Sequence, residues 1–204
     1  MYEHLANLFG GPPNADHFAL YALWAEHNWG MIITGNVQVS PKHLSLGRDM
    51  VVPGCNTEEA LRPFQRLACA IKGKGPDQPL AIMQLSHAGR QSPNILGGRA
   101  PFERPLAPSA IALGSGKHGD NIISKIFYWL LFQTPKEMSV QNIDEVVDSF
   151  VRGAKLAYLS GFDGVQLHAA HGCKCIWCNL LPRMCSQLLV LPRPNISIYV
   201  LQGW

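Results

Sequence analysis

The chain is poor in charge and has no long apolar run. Only 15% of its 204 residues are charged, and the formal net charge is +3. The basic residues are too few and too scattered to form a nucleic-acid footprint, so no nucleic-acid partner is expected. The longest aromatic and apolar run, Ile126 to Phe132, falls far short of the roughly 20 residues that a membrane span needs. No membrane partner is expected either. The first residues, Met1-Tyr2-Glu3-His4, lack the charged-then-apolar pattern of a secretory signal. Cysteine is sparse through most of the chain: four of the six crowd into 173–185, whereas a secreted disulfide framework would spread them. A reducing, cytoplasmic location is the expectation. What is abundant is apolar material, 47% of the residues, enough for one sizeable core. The length is somewhat below the roughly 250 residues of a complete eight-unit α/β barrel.

Helix and strand signals alternate along the chain. Asn14 can cap a helix over about 15–27, with Phe18, Leu20, Tyr21, Leu23 and Trp24 on its apolar side. Met31-Ile32-Ile33-Thr34 then reads as a short buried strand ending in the small, polar pair Gly35-Asn36. Thr57-Glu58-Glu59 opens a second helix to about Lys72, with acids at its positive end and Pro63 in its first turn or at a kink. Leu80-Ala81-Ile82-Met83-Gln84-Leu85 is the next strand. A proline- and glycine-rich segment, 86–138, is long enough to be functional or disordered. Ser139 or Asn142 begins a third helix, with Val146, Val147, Phe150, Val151, Ala154 and Ala157 on its buried side. Gly161 ends that helix, and Val165-Gln166-Leu167 is the third strand. Short buried strands alternating with helices predict an α/β fold with a parallel sheet. Spacing alone does not separate a closed barrel from an open doubly wound sheet.

Three strand ends carry polar groups: Thr34-Gly35-Asn36; Gln84 with His87 and Arg90; and His168 with His171. In a parallel α/β fold the carboxyl ends of the strands share one face. Amide, imidazole and guanidinium groups meeting there suit a planar heterocycle with carbonyl oxygens and ring nitrogens. Each group also has a structural reading. Gln84 could bond a neighbouring backbone, Arg90 could tie down the long segment, and His87 could anchor it. His168 and His171 could bind zinc, but no further histidine or carboxylate stands at helical spacing beside them.

The runs Gln84-Leu85-Ser86-His87-Ala88-Gly89-Arg90-Gln91 and Gly161-Phe162-Asp163-Gly164-Val165-Gln166-Leu167-His168-Ala169-Ala170-His171-Gly172 resemble the Old Yellow Enzyme family of NAD(P)H:flavin oxidoreductases. Trp29 to Val37 and Pro105 to Ile111 fit the same pattern, so the resemblance covers residues 1–172. It implies part of a TIM (β/α)8 barrel, roughly units two to four, carrying FMN and reduced by NAD(P)H. It implies that Gly35 and Asn36 approach the flavin and that Gln84 bonds its pyrimidine edge. His168 and His171 are implied to be the catalytic pair that holds the oxygen of a small-molecule carbonyl substrate, with His168 also beside the cofactor. The reaction implied is hydride transfer from the flavin to the C=C bond of an α,β-unsaturated carbonyl compound.

The resemblance stops at Cys173, where the family has the tyrosine that is its usual proton donor. Residues 173–204 are expected to be a non-family, irregular tail, consistent with a retained intron and a change of frame. The first barrel strand and the phosphate-binding loops of the last two units are also missing from the pattern. Two further readings follow: an inactive fragment that binds no FMN, and a metal-binding module built on His171, Cys173, Cys175, Cys178 and Cys185. The second of these has only one Cys-x-x-Cys pair.

Overall fold

The computed structural model describes residues 3–113, 122–168 and 197–201. The first helix, α1 (Ala15–Ala25), is closed at its start by a capping box: the Asn14 side chain accepts from the N–H groups of Asp16 and His17. The chain then runs through β1 (Met31–Gln38) and β2 (Met50–Val51) to α2 (Glu58–Lys72) and β3 (Leu80–Ser86). After β3 come β4 (Leu106–Ala107), α3 (Ile122–Leu131) and β5 (Lys136–Glu137). Next are α4 (Val140–Leu159), capped by Ser139, β6 (Gly164–His168) and β7 (Ser197–Leu201). Gly161, at φ +82°, makes the left-handed turn between α4 and β6 that a side chain would strain.

Five strands form one sheet in the order β2-β1-β3-β6-β7, and every pair in it is parallel. Alternation along the strands divides the sheet into two faces. Val37, Ala81, Met83, Leu85, Val165 and Leu167 look outward and make the core with Phe64, Leu67 and Ile71 of α2 and Val147, Phe150 and Ala157 of α4. Asp163 fastens the bottom of the sheet. Its carboxylate accepts the Ala81 N–H at 2.8 Å and pairs with Lys72 Nζ at 2.9 Å.

Four expectations change. Helix α1 buries His17 and Tyr21, whereas Leu23 is 55% exposed, because α1 packs chiefly on α2. Strand β1 runs four residues past Thr34, so Asn36 lies inside it. The segment 86–138 contains a two-stranded parallel sheet, β4 with β5, and the helix α3. The tail is not irregular throughout: Ser197–Leu201 pairs along the whole of β6. Ile198, Tyr199 and Val200 are strong strand formers, and β6 offered them an unpaired edge.

Candidate functional site

The inward face of the sheet changes character along its length. It is apolar at the start, with Ile33 beside Ile82. Towards the carboxyl ends it becomes polar in two successive rows. Asn36, Gln84 and Gln166 are direct register partners across β1, β3 and β6. Two residues further on, Gln38 is aligned with Ser86, and His168 stands two beyond Gln166 on the same face. Asn36, Gln84 and Gln166 are all buried.

A bulge in β1 brings these residues together. Ile33 is paired with Ile82 and Asn36 with Gln84, so three steps on β1 match two on β3. The extra residue shifts the parity of the strand. Without it, Gly35 and Val37 would face inward and Asn36 and Gln38 would face the helices. Side chains replace the ladder bonds that the bulge removes. Thr34 Oγ1 accepts the Gln84 N–H at 3.0 Å and donates to the Gly35 carbonyl at 2.8 Å. The Gly35 N–H is shared between Glu3 Oε1 at 2.9 Å and the Tyr21 hydroxyl at 2.8 Å. A Cβ on Gly35 would collide with the Glu3 carboxylate, so the lack of a side chain there serves Glu3.

Within the first row the Gln84 amide donates to Gln166 Oε1. Gln38 is held from behind, its amide donating to Asp49 Oδ1 at 3.4 Å, and Asp49 is itself fixed by the Ser45 and Leu46 N–H groups. Three carbonyl oxygens of these side chains, Asn36 Oδ1, Gln38 Oε1 and Gln84 Oε1, are buried with no donor among the described residues. Buried acceptors are normally paired, so they ask for a ligand that brings N–H groups. The pyrimidine edge of a flavin has one N–H and two carbonyls, and a row of primary amides can meet both kinds of group. The residues present therefore fit that cofactor at its ring.

Of the residues singled out in the sequence, Asn36, Gln84 and His168 meet on this face, and Gly35 lies in the bulge beside them. His171 and the cysteines of the tail lie outside the described residues. His87 and Arg90 serve elsewhere. The His87 ring stacks on His43, with centroids 4.3 Å apart. Arg90 ties down the long segment through the Ile111 carbonyl at 3.1 Å and Ser109 Oγ at 3.0 Å. Sequence reasoning missed Gln166 and Gln38. The signal was present as a repeated pattern, Met83-Gln84-Leu85, Val165-Gln166-Leu167 and Val37-Gln38-Val39, each a glutamine between apolar residues within a strand or at its end.

Most of the chain is similar to known proteins. The profile of the NADH:flavin oxidoreductase / NADH oxidase family matches residues 9–173. The NADH-dependent flavin oxidoreductase iliE of Neonectria sp. (strain DH2) is 45% identical over 157 residues, 75% of this chain and 19% of that protein. The protein of the same name from Hypocrea jecorina (strain QM6a) is 35% identical over 164 residues, 80% of this chain and 39% of that one. The chain thus spans well under half the length of these relatives. Among solved structures, the old yellow enzyme homologue from Zymomonas mobilis superposes with a TM-score of 0.69 at 18% identity, over 98% of this chain and 57% of the other. Morphinone reductase gives 0.67 at 18%, over 96% and 56%. At such identities the likeness establishes the fold, and the parallel sheet with its outer helices is part of a (β/α)8 barrel. With most of its length matched by the profile, this chain belongs to the NADH:flavin oxidoreductase / NADH oxidase family.

Proposed function

We propose that this chain forms the wall of an FMN site in an oxidoreductase that passes hydride from NAD(P)H, through the flavin, to the C=C bond of an α,β-unsaturated carbonyl compound. The observation that carries the reading is the row Asn36–Gln84–Gln166 on the polar rim of the sheet, with acceptor oxygens left for a ligand. FMN, when bound, supplies the two-electron hydride chemistry. The protein's part is orientation and electrostatics. Gln84 Oε1 accepts a ring N–H, and its amide orientation is fixed by the bond to Gln166. Asn36 approaches the same ring from β1. His168, one row further along, and His171 donate N–H bonds to the substrate carbonyl oxygen. That oxygen gains negative charge as the β-carbon receives hydride, and donors already in place lower the barrier.

The test is titration of FMN into the purified chain, followed by flavin absorbance and fluorescence. Saturable binding that Gln84→Leu weakens by tenfold or more is the expected result, since a buried polar contact of this kind is worth on the order of 1.4 kcal/mol or more. An absence of binding to the unaltered chain overturns the reading. Cys173, in place of the family's tyrosine, favours a second reading in which FMN binds without turnover. Loss of NADH absorbance on adding an enone to the FMN-loaded chain separates the two.

A further inference from the structure

The residues nearest the start of the described chain have no role in the reading above, yet one of them holds the backbone on which the site depends. Glu3 reaches across to β1 and accepts the Gly35 N–H at 2.9 Å, beside the Tyr21 hydroxyl at 2.8 Å. This N–H belongs to the bulge, where the pairing jumps from Ile33–Ile82 to Asn36–Gln84. A bulge leaves one backbone group without its ladder partner, and a buried group of this kind needs another partner. Here a carboxylate and a phenol do so from outside the sheet. The fit is close: the Glu3 side chain fills the space that a Cβ on Gly35 would occupy. Asn36, the next residue, then faces Gln84 across the sheet.

We propose that Glu3 is a positioning residue: its carboxylate, with the Tyr21 hydroxyl, locks the Thr34–Gly35 bulge and so holds Asn36 and Gln38 on the inward face. The consequence for FMN rests on the function proposed above; the consequence for the strand does not. Burial pushes the Glu3 carboxyl above its ordinary range, and the bond from Gly35 pulls it back. What the bulge requires is an acceptor oxygen at that point rather than a charge. Glutamine has such an oxygen and nearly the same shape, whereas alanine does not.

The experiment compares Glu3→Gln and Glu3→Ala in the whole chain. Hydrogen exchange at the Gly35 amide and the side-chain amide resonances of Asn36 are followed by NMR, alongside FMN titration. Glu3→Ala is expected to speed Gly35 exchange about tenfold, to shift the Asn36 resonances and to weaken FMN binding by a similar factor. Glu3→Gln is expected to restore all three. Should Glu3→Ala not fold, Tyr21→Phe removes the other acceptor and is expected to speed Gly35 exchange while Glu3 stays in place. Unchanged Gly35 exchange and Asn36 resonances in the folded acceptor-deleted variant overturn the proposal. So does a Glu3→Gln chain as impaired as Glu3→Ala. If the unaltered chain binds no FMN, the flavin reading fails while the exchange and resonance data still decide the role of Glu3.

Discussion

At the scale of single residues the site rests on amides rather than charges. Gln166 shows why this matters. Its oxygen is the acceptor for the Gln84 amide, and both residues are buried. Replacing Gln166 by leucine keeps the volume but leaves the Gln84 N–H buried without its partner. The expected cost is about 1–3 kcal/mol of folding stability, read from the midpoint of urea unfolding. A stability equal to that of the unaltered chain would mean that Gln84 finds another partner. Gln84 was legible in the sequence because its motif is specific. Gln166 was hidden by its neighbours, since a single polar residue between Val165 and Leu167 does not disturb the impression of a buried apolar strand. What distinguishes it is the partner on β3, and one strand's sequence does not show what lies across from it.

At the scale of elements, most of what propensity and periodicity could specify was readable. The caps Asn14, Thr57 and Ser139 start α1, α2 and α4, and the buried positions of α4 follow the predicted stripe. The bulge was not readable, because it depends on partners up to about fifty residues away: Gln84 on β3, and Glu3 and Tyr21 from the other side. Its one local trace is the change from the run Met31-Ile32-Ile33 to the alternation Asn36-Val37-Gln38-Val39 across Thr34-Gly35. Pro63 presents the opposite case, a local rule that the structure overrides. It lies in the second turn of α2, beyond the first-turn position where proline is cost-free, and the helix continues through it to Lys72. Its missing N–H leaves the Glu59 carbonyl without the usual helical donor. Pro63 lines an apolar surface cavity of about 470 Å³ with Phe9, Pro12, Pro41, Val52 and Phe64, so its ring is not packed on all sides. Pro63→Ala is therefore expected to stabilise the chain by about 1–3 kcal/mol, seen as a higher melting temperature in calorimetry. A lower melting temperature would show that the ring's contacts with the cavity wall outweigh the restored hydrogen bond.

At the scale of the whole molecule, the long segment after β3 is tied to the loop after β1 by a buried cluster of Arg99 with His43 and His87, and this sets how the protein responds to acid. Arg99 donates to the Lys42, Ser92, Pro93 and Glu103 carbonyls. Beside it, His43 Nε2 accepts the Leu106 N–H at 3.0 Å, which requires that nitrogen to be unprotonated. Burial first, and then the Arg99 guanidinium, lower His87 from 6.5 to about 4. Burial, with His87, Arg99 and Lys42 nearby, pushes His43 well below its ordinary value. Both histidines are thus neutral in the folded state at neutral pH. A histidine whose pKa falls on folding stabilises the protein above its unfolded value of 6.5, and that contribution is lost as pH falls through the folded value. For His87 the window runs from 6.5 down to about 4, and the loss is on the order of 3 kcal/mol. Glu3 acts in the opposite sense, because its raised pKa favours the folded state as acid is added. The cleanest measurement is therefore urea unfolding of Glu3→Gln across this range. Its midpoint is expected to be flat from pH 8 to 7 and to fall steadily below 6.5. In Glu3→Gln with His87→Phe the fall is expected to be shallower, with His43 the remaining contributor of the pair. A midpoint that stays level down to pH 4 would mean that the two imidazoles can be protonated in place, and that the segment they anchor is looser than their burial implies.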